Sequence, residues 1–154
     1  LRTSPSTSSI RKLNLYTDMV DQLEIIMPPY TRGFHLVTGE IVKQLPRLPD
    51  KGMLNLFIQH TSAGLAINEN ADPSVRIDFD YFFNHLIPDS SFEFLHTIEG
   101  DDDMPAHLKA SIIGQSITIP VTHGKLNLGM WQGIYLCEFR NDGGRRKVVA
   151  TIYS

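Results

Sequence analysis

The stretches Gln115-Ser-Ile-Thr-Ile-Pro-Val121, Lys125 to Arg140, and Arg145-Arg-Lys-Val-Val-Ala-Thr-Ile-Tyr153 decide the fold class. Each run is strand-like, and the segments between them, His123-Gly124 and Asn141-Asp-Gly-Gly144, carry turn chemistry. A bend is expected in the middle run near Gly129. Upstream, Gln22–Met27 reads as a strand closed by Pro28 and Pro29. Met53–His60, an apolar run after Gly52, reads as a buried strand that delivers His60 at its end. Gly64–Asn68 reads as its return strand, forming a hairpin through His60–Ala63. Strands that come in runs and outnumber helices argue for an α+β fold with a largely antiparallel sheet folded on itself.

The helices are set by period and punctuation. Phe34–Leu45 carries Val37, Ile41 and Leu45 at helical spacing and ends at Pro46. Asp72-Pro73 is a helix start, with the aspartate as N-cap and the proline in the first turn, and Val75, Phe79, Phe82, Phe83 and Leu86 follow on one apolar face. Pro105–Ile113 reads as a short helix stopped by Gly114. His96–Asp103 is polar and acidic, a loop.

Composition bounds the function. A chain of 154 residues has the size of one domain and can bury a core of its own. Its 42% hydrophobic and 20% charged residues are globular, and the net charge of −3 argues against a generic nucleic-acid or membrane-surface binder. A small-molecule partner is expected. With Cys137 as the lone cysteine, no intrachain disulfide can form, which fits a reducing, cytoplasmic setting. No apolar run reaches the roughly 20 residues that span a bilayer. Residues 1–19 read as a flexible N-terminal extension to a single domain over 20–154. The Ser/Thr-rich, acid-free start, Leu1 to Ser9, reads as a disordered leader or as the remnant of an organellar targeting peptide.

Polar groups gather at element edges: His60-Thr61-Ser62, Asn68-Glu69-Asn70, Asp78, His96 with Glu99 to Asp103, and His107. Imidazole and carboxylate are the usual ligands of divalent transition metals, and histidine transfers protons near neutral pH. Taken singly, a histidine at a strand end is more often a hydrogen-bonded structural residue. Asp101 to Asp103 also read as a solvated acidic turn or as charge favoured by a helix N-terminus. His35, His85 and His123 read as surface or structural.

Arg32-Gly-Phe-His-Leu-Val-Thr38, Gln59-His-Thr-Ser-Ala63, Asn68-Glu-Asn70 with Asp72-Pro73, Glu99-Gly100 with Asp102-Asp-Met-Pro-Ala-His107, and Gly129-Met-Trp-Gln-Gly133 occur in the order of the signature segments of the YjbQ-like family. From Gln22 onward the chain resembles that family, known as secondary thiamine-phosphate synthases. The resemblance implies an antiparallel β-sandwich or barrel-like core with two or three flanking helices, assembled as a homotrimer. It also implies a reaction that joins hydroxymethylpyrimidine diphosphate to thiazole phosphate and releases pyrophosphate, so the expected ligand is a small phosphorylated metabolite. On this resemblance His60, His96 and His107 are expected as metal ligands, with zinc or magnesium as the ion. His60, Glu69, Asp78, Glu99, Asp102 and His107 are expected as catalytic groups, and Thr61, Ser62, Asn68, Gln132 and Arg140 as substrate-binding groups. Position 130 is Met where many members carry Thr. Arg76, Arg140, Arg145 and Arg146 are the cations available to a pyrophosphate leaving group, and no Gly-rich phosphate loop is present. A non-catalytic metabolite-binding or sensing protein is the alternative reading.

Overall fold

The structure is a computed structural model that describes residues 20–90 and 92–154, so the expected N-terminal extension lies outside the described residues. Among the described residues, eight strands and three helices follow in order: β1 Val20–Met27, β2 Gly33–Leu36, α1 Thr38–Gln44, β3 Lys51–Ile58, β4 Ala63–Glu69, α2 Pro73–Leu86, α3 Asp103–Ile113, β5 Ser116–Thr122, β6 Lys125–Leu126, β7 Gln132–Glu138 and β8 Arg146–Tyr153. They form two antiparallel sheets, one ordered β1-β8-β3-β5-β6 and the other β2-β7-β4. The α+β, antiparallel expectation holds.

Side-chain alternation explains the layers. In the larger sheet Ile25, Leu54, Leu56, Ile58, Ile119, Val148, Ala150 and Ile152 point inward and meet Leu65, Ile134 and Leu136 of the smaller sheet, with Val37 and Ile41 closing one side. The smaller sheet is buried on its other face as well. There Phe34, Tyr135, Cys137 and Phe139 pack on Phe83 of α2 and on Ala106 and Ala110 of α3. A strand covered on both faces reads as a continuous apolar run, which is why Gly133–Phe139 shows no alternation of polarity. Helix α3 approaches β4 over Gly64, whose place a Cβ would fill at 2.8 Å from both Gly114 O and Ile113 Cγ2. The Leu65 N–H donates to Gly114 O there at 3.1 Å.

Several sequence expectations are corrected. The helix over Phe34–Leu45 begins only at Thr38, because Phe34 and Leu36 gain more by pairing opposite Cys137 and Tyr135 and burying against α2. The hairpin through His60–Ala63 does not form. Strand β3 pairs with β5 and β8 while β4 pairs with β7, so Gln59–Ser62 carry the chain across the sandwich from one sheet to the other. The run Lys125–Arg140 divides into β6 and β7 in different sheets, with the turn between them held by the Gly129 N–H on Gln132 Oε1 at 2.8 Å. Helix α3 also starts at Asp103 rather than Pro105, since a proline in the first turn sacrifices no helical hydrogen bond. The cap at Asp72 is as expected, its Oδ1 accepting from Ser74 N at 2.8 Å.

Candidate metal centre and the crossover beside it

Helix α3 places Asp103 and His107 one turn apart on one face, and the loop from α2 brings His96 onto the same carboxylate. His96 Nε2 lies 2.7 Å and His107 Nε2 3.2 Å from Asp103 Oδ2. The three ligand atoms lie within 4.8 Å of one another, and the two rings are 5.4 Å apart between centroids. Asp103 is 1% exposed, and its second oxygen accepts from Arg140 Nη1. Arg140 also donates from Nε to Asp102 Oδ2 at 3.0 Å and from Nη2 to Glu99 O at 2.8 Å, and Asp102 takes the Asn141 N–H at 2.8 Å. Burial opposes ionisation of Asp103 more than any other single influence. The His96 hydrogen bond, the charges of His107 and Arg140, and a hydrogen bond with Glu99 together outweigh it and hold the carboxyl below its ordinary value. Asp102 is held low in the same sense, burial being outweighed by Asn141 N–H and Arg140.

The tautomer of His107 follows from its surroundings. Its Nδ1 lies 3.0 Å from Thr61 O, and a carbonyl can only accept, so Nδ1 carries hydrogen. In the neutral ring Nε2 is then a bare lone pair aimed at a carboxylate oxygen. Facing a carboxylate oxygen at 3.2 Å, that nitrogen is satisfied either by a second ring proton donated to Asp103 or by an ion held between them, and the backbone carbonyl behind the ring is the usual support of a metal-bound histidine.

His60 does not join this cluster. It lies at the crossover, across a cleft of about 750 Å3 whose walls include Phe57, Gln59, His60, Ser62, His107 and Gln115. Its Nε2 accepts the Lys147 N–H at 2.9 Å and its Nδ1 faces Arg146 Nη1 at 3.2 Å. Arg146 spans the sandwich, donating from Nε to Glu138 Oε2 at 2.7 Å, from Nη2 to Glu138 Oε1 at 2.6 Å, and from Nη2 to Ser62 Oγ at 3.0 Å. Gly143 roofs the pair, since a Cβ there would sit 2.5 Å from Glu138 Oε2 and from Arg146 Nη2. Burial first, then Arg146 and Lys147, hold His60 below its ordinary value against the opposite pull of Glu138.

The other expected site residues divide between the two ends of the smaller sheet. Thr61 contributes its carbonyl, while Ser62 serves Arg146, and both stand in the cleft. Arg140 and Asp102 are bound to each other and to the cluster. Asn68 Oδ1 accepts from Glu69 N at 2.8 Å, Glu69 accepts the Asp72 N–H at 3.1 Å, and Gln132 supports the turn at Gly129. These three sit at the far end of β4 and β7, separated from Ala63 and Glu138 by roughly 20 Å at about 3.3 Å per strand residue. Asp78 is exposed on α2 beside Val75, Phe79 and Phe82. The sequence reading missed Glu138, gave Asp103 no ligand role although it stood in the acidic run, and named Arg146 only as a cation available to a leaving group. The Asp103–His107 spacing of one helical turn and an acid inside the apolar run Ile134–Phe139 were the available signals.

A sandwich of two antiparallel sheets with helices on the outer face of the smaller one, and a His-Asp-His cluster beside an open cleft at one end, defines the class of this protein. The chain belongs to the UPF0047 protein YjbQ-like family, whose profile matches residues 21–154. UPF0047 protein YjbQ of Escherichia coli O157:H7 is 47% identical over 133 residues, covering 85% of this chain and 96% of that protein. A UPF0047 protein of Synechocystis is 43% identical over 101 residues, covering 66% and 69%. The crystal structure of a conserved hypothetical protein from Thermus thermophilus matches with a TM-score of 0.73 at 31% identity, covering 86% of this chain and 99% of that one. Among the described residues, no helix is long and apolar enough to cross a membrane.

Proposed function

We propose that the chain is a metal-assisted transferase of the thiamine-phosphate synthase type, in which His96, Asp103 and His107 hold the ion and a small phosphorylated metabolite lies in the adjoining cleft. The observation that carries the reading is the convergence of His96 Nε2 and His107 Nε2 on Asp103 Oδ2, with His107 oriented by the Thr61 carbonyl. Two imidazoles and one carboxylate suit a zinc-like ion better than magnesium, which prefers an oxygen shell. Held there, an ion would supply charge neutralisation for the oxygens of a departing pyrophosphate. Around it, Arg140 fixes the Asp103 carboxylate and Thr61 fixes the His107 ring. Elemental analysis of purified protein tests this: about one ion per chain is expected in wild type and none in His107→Ala. Wild type without stoichiometric metal, together with full activity of the variant, would overturn it.

The non-catalytic alternative draws on one observation: Arg140, Asp102, Glu69 and Gln132 are all spent on internal hydrogen bonds. A kcat/KM far below about 10⁴ M⁻¹s⁻¹ on every phosphorylated substrate would favour it. We also propose a cytoplasmic homotrimer. The outer face of the larger sheet exposes Val20, Tyr153 and Met53 in one cross-strand row and Phe57 in another, and Leu95 and Ile98 flanking His96 are fully exposed. A monomeric mass by light scattering at micromolar concentration would sink it.

A further inference from the structure

On the side of His60 away from the metal cluster lies a second hollow, of about 470 Å3, lined by Ile26, Gln59, His60, Arg145, Arg146 and Lys147. Its chemistry is cationic and its hydrogen bonding is incomplete. The Lys147 N–H occupies His60 Nε2, so the neutral ring carries its proton on Nδ1. That N–H points at Arg146 Nη1, which has only hydrogens to offer, at 3.2 Å. Glu138 and Ser62 are served by Nε and Nη2 and leave Nη1 aside. Two donors therefore face each other with no acceptor of the described residues between them. Arg146 is 5% exposed, and a donor so placed is costly to leave unmade. Turning the ring over would remove this conflict only by giving up the Lys147 hydrogen bond.

We infer that this hollow is an oxyanion site, taking a phosphate-type group whose oxygen accepts from both His60 Nδ1–H and Arg146 Nη1–H. Arg145, exposed at the rim, adds charge, while Lys147 is already paired with Glu24 at 2.9 Å. Arg145 immediately precedes β8 and Arg146 and Lys147 open it, and β alternation turns Arg146 into the sandwich while Lys147 faces out. The site rests on the proposed function only in taking the end of the sandwich as the ligand-binding end; it needs no metal.

The test is isothermal titration of inorganic phosphate and pyrophosphate into the full chain freed of metal by a chelator, beside His60→Ala, Arg145→Ala and His107→Ala. Wild type and His107→Ala are expected to bind alike, and His60→Ala to lose at least tenfold in affinity. Arg145→Ala, a rim change that leaves the core untouched, is expected to lose severalfold, and it carries the test if His60→Ala does not fold. The imidazole Nδ1–H signal of His60 should shift downfield on titration. Equal binding by wild type and both the His60 and Arg145 variants, binding lost only in His107→Ala, or no binding to metal-free wild type at millimolar anion overturns the inference. A metal-free wild type that binds phosphate as described, with no ion ever found at His96, Asp103 and His107, would instead remove the metal reading and leave this one standing.

Discussion

Replacing Arg146 by methionine strands the Glu138 carboxylate inside the sandwich. Glu138 is 0% exposed, and both its oxygens accept from this guanidinium at 2.7 and 2.6 Å; beside it stands the Arg140 N–H at 3.0 Å, a single backbone donor. Breaking a buried pair by removing one partner costs about 3–5 kcal/mol. For a chain of this size each kcal/mol moves the melting midpoint by roughly 2–4 °C, so a fall of roughly 6–20 °C is expected. Ser62 also loses its donor, which loosens the crossover and adds to the loss. The double variant Glu138→Leu with Arg146→Met replaces the pair by apolar groups facing Met27 and Ala63, and such exchanges are often neutral or stabilising. It should melt near or above wild type. Thermal and urea unfolding followed by circular dichroism, on wild type, both single variants and the double, close the cycle. If Arg146→Met melts within about 2 °C of wild type, Glu138 finds water or another cation there and the buried-pair reasoning fails.

Two further outcomes are expected. His60 is held below its usual 6.5 in the folded chain, so the unfolded chain takes up that proton first. This contribution to stability is fully present above 6.5 and is lost as pH falls from 6.5 towards the native value; His60→Gln should flatten that part of the urea-unfolding profile, and an unchanged slope in the variant would exclude His60 as its source. At Gly52 a Cβ would stand 2.0 Å from Tyr153 O, the backbone of the neighbouring strand, so Gly52→Ala should force β3 and β8 apart and cost about 1–3 kcal/mol, as overpacking does, read as a lower urea midpoint.

Much of the fold could be read from period and punctuation, because most strands and helices announce themselves locally. Val37 and Ile41 are both buried and do mark α1, yet nothing local says that the helix stops short of Phe34. That boundary is set by Tyr135 and Cys137, about a hundred residues later in the chain, which offer Phe34 and Leu36 a strand partner and a buried face. The expected hairpin at His60–Ala63 failed for a related reason. A short connection between two apolar strands looks the same whether they pair side by side or stack face to face. Here Leu56 and Ile58 look across the core at Leu65 and Leu136, so the chain crosses between sheets instead of turning within one.

That crossing also explains how much of the site was legible. Histidines at element edges stood out by residue type, but which of them meet depends on what lies on each side of Gln59–Ser62. On one side Thr61 gives its carbonyl to His107 and so turns that ring's free nitrogen onto Asp103. On the other, His60 and Ser62 give their side chains to Lys147 N–H and Arg146 at the start of β8. Consecutive residues of one crossover thus fix an acidic cluster and a basic hollow at the same end of the sandwich, and His60 is drawn to the basic side by groups nearly ninety positions away. The short segment His60–Ser62 therefore decides which histidine stands by the acidic cluster and which by the basic hollow, and residue type alone could not have divided them.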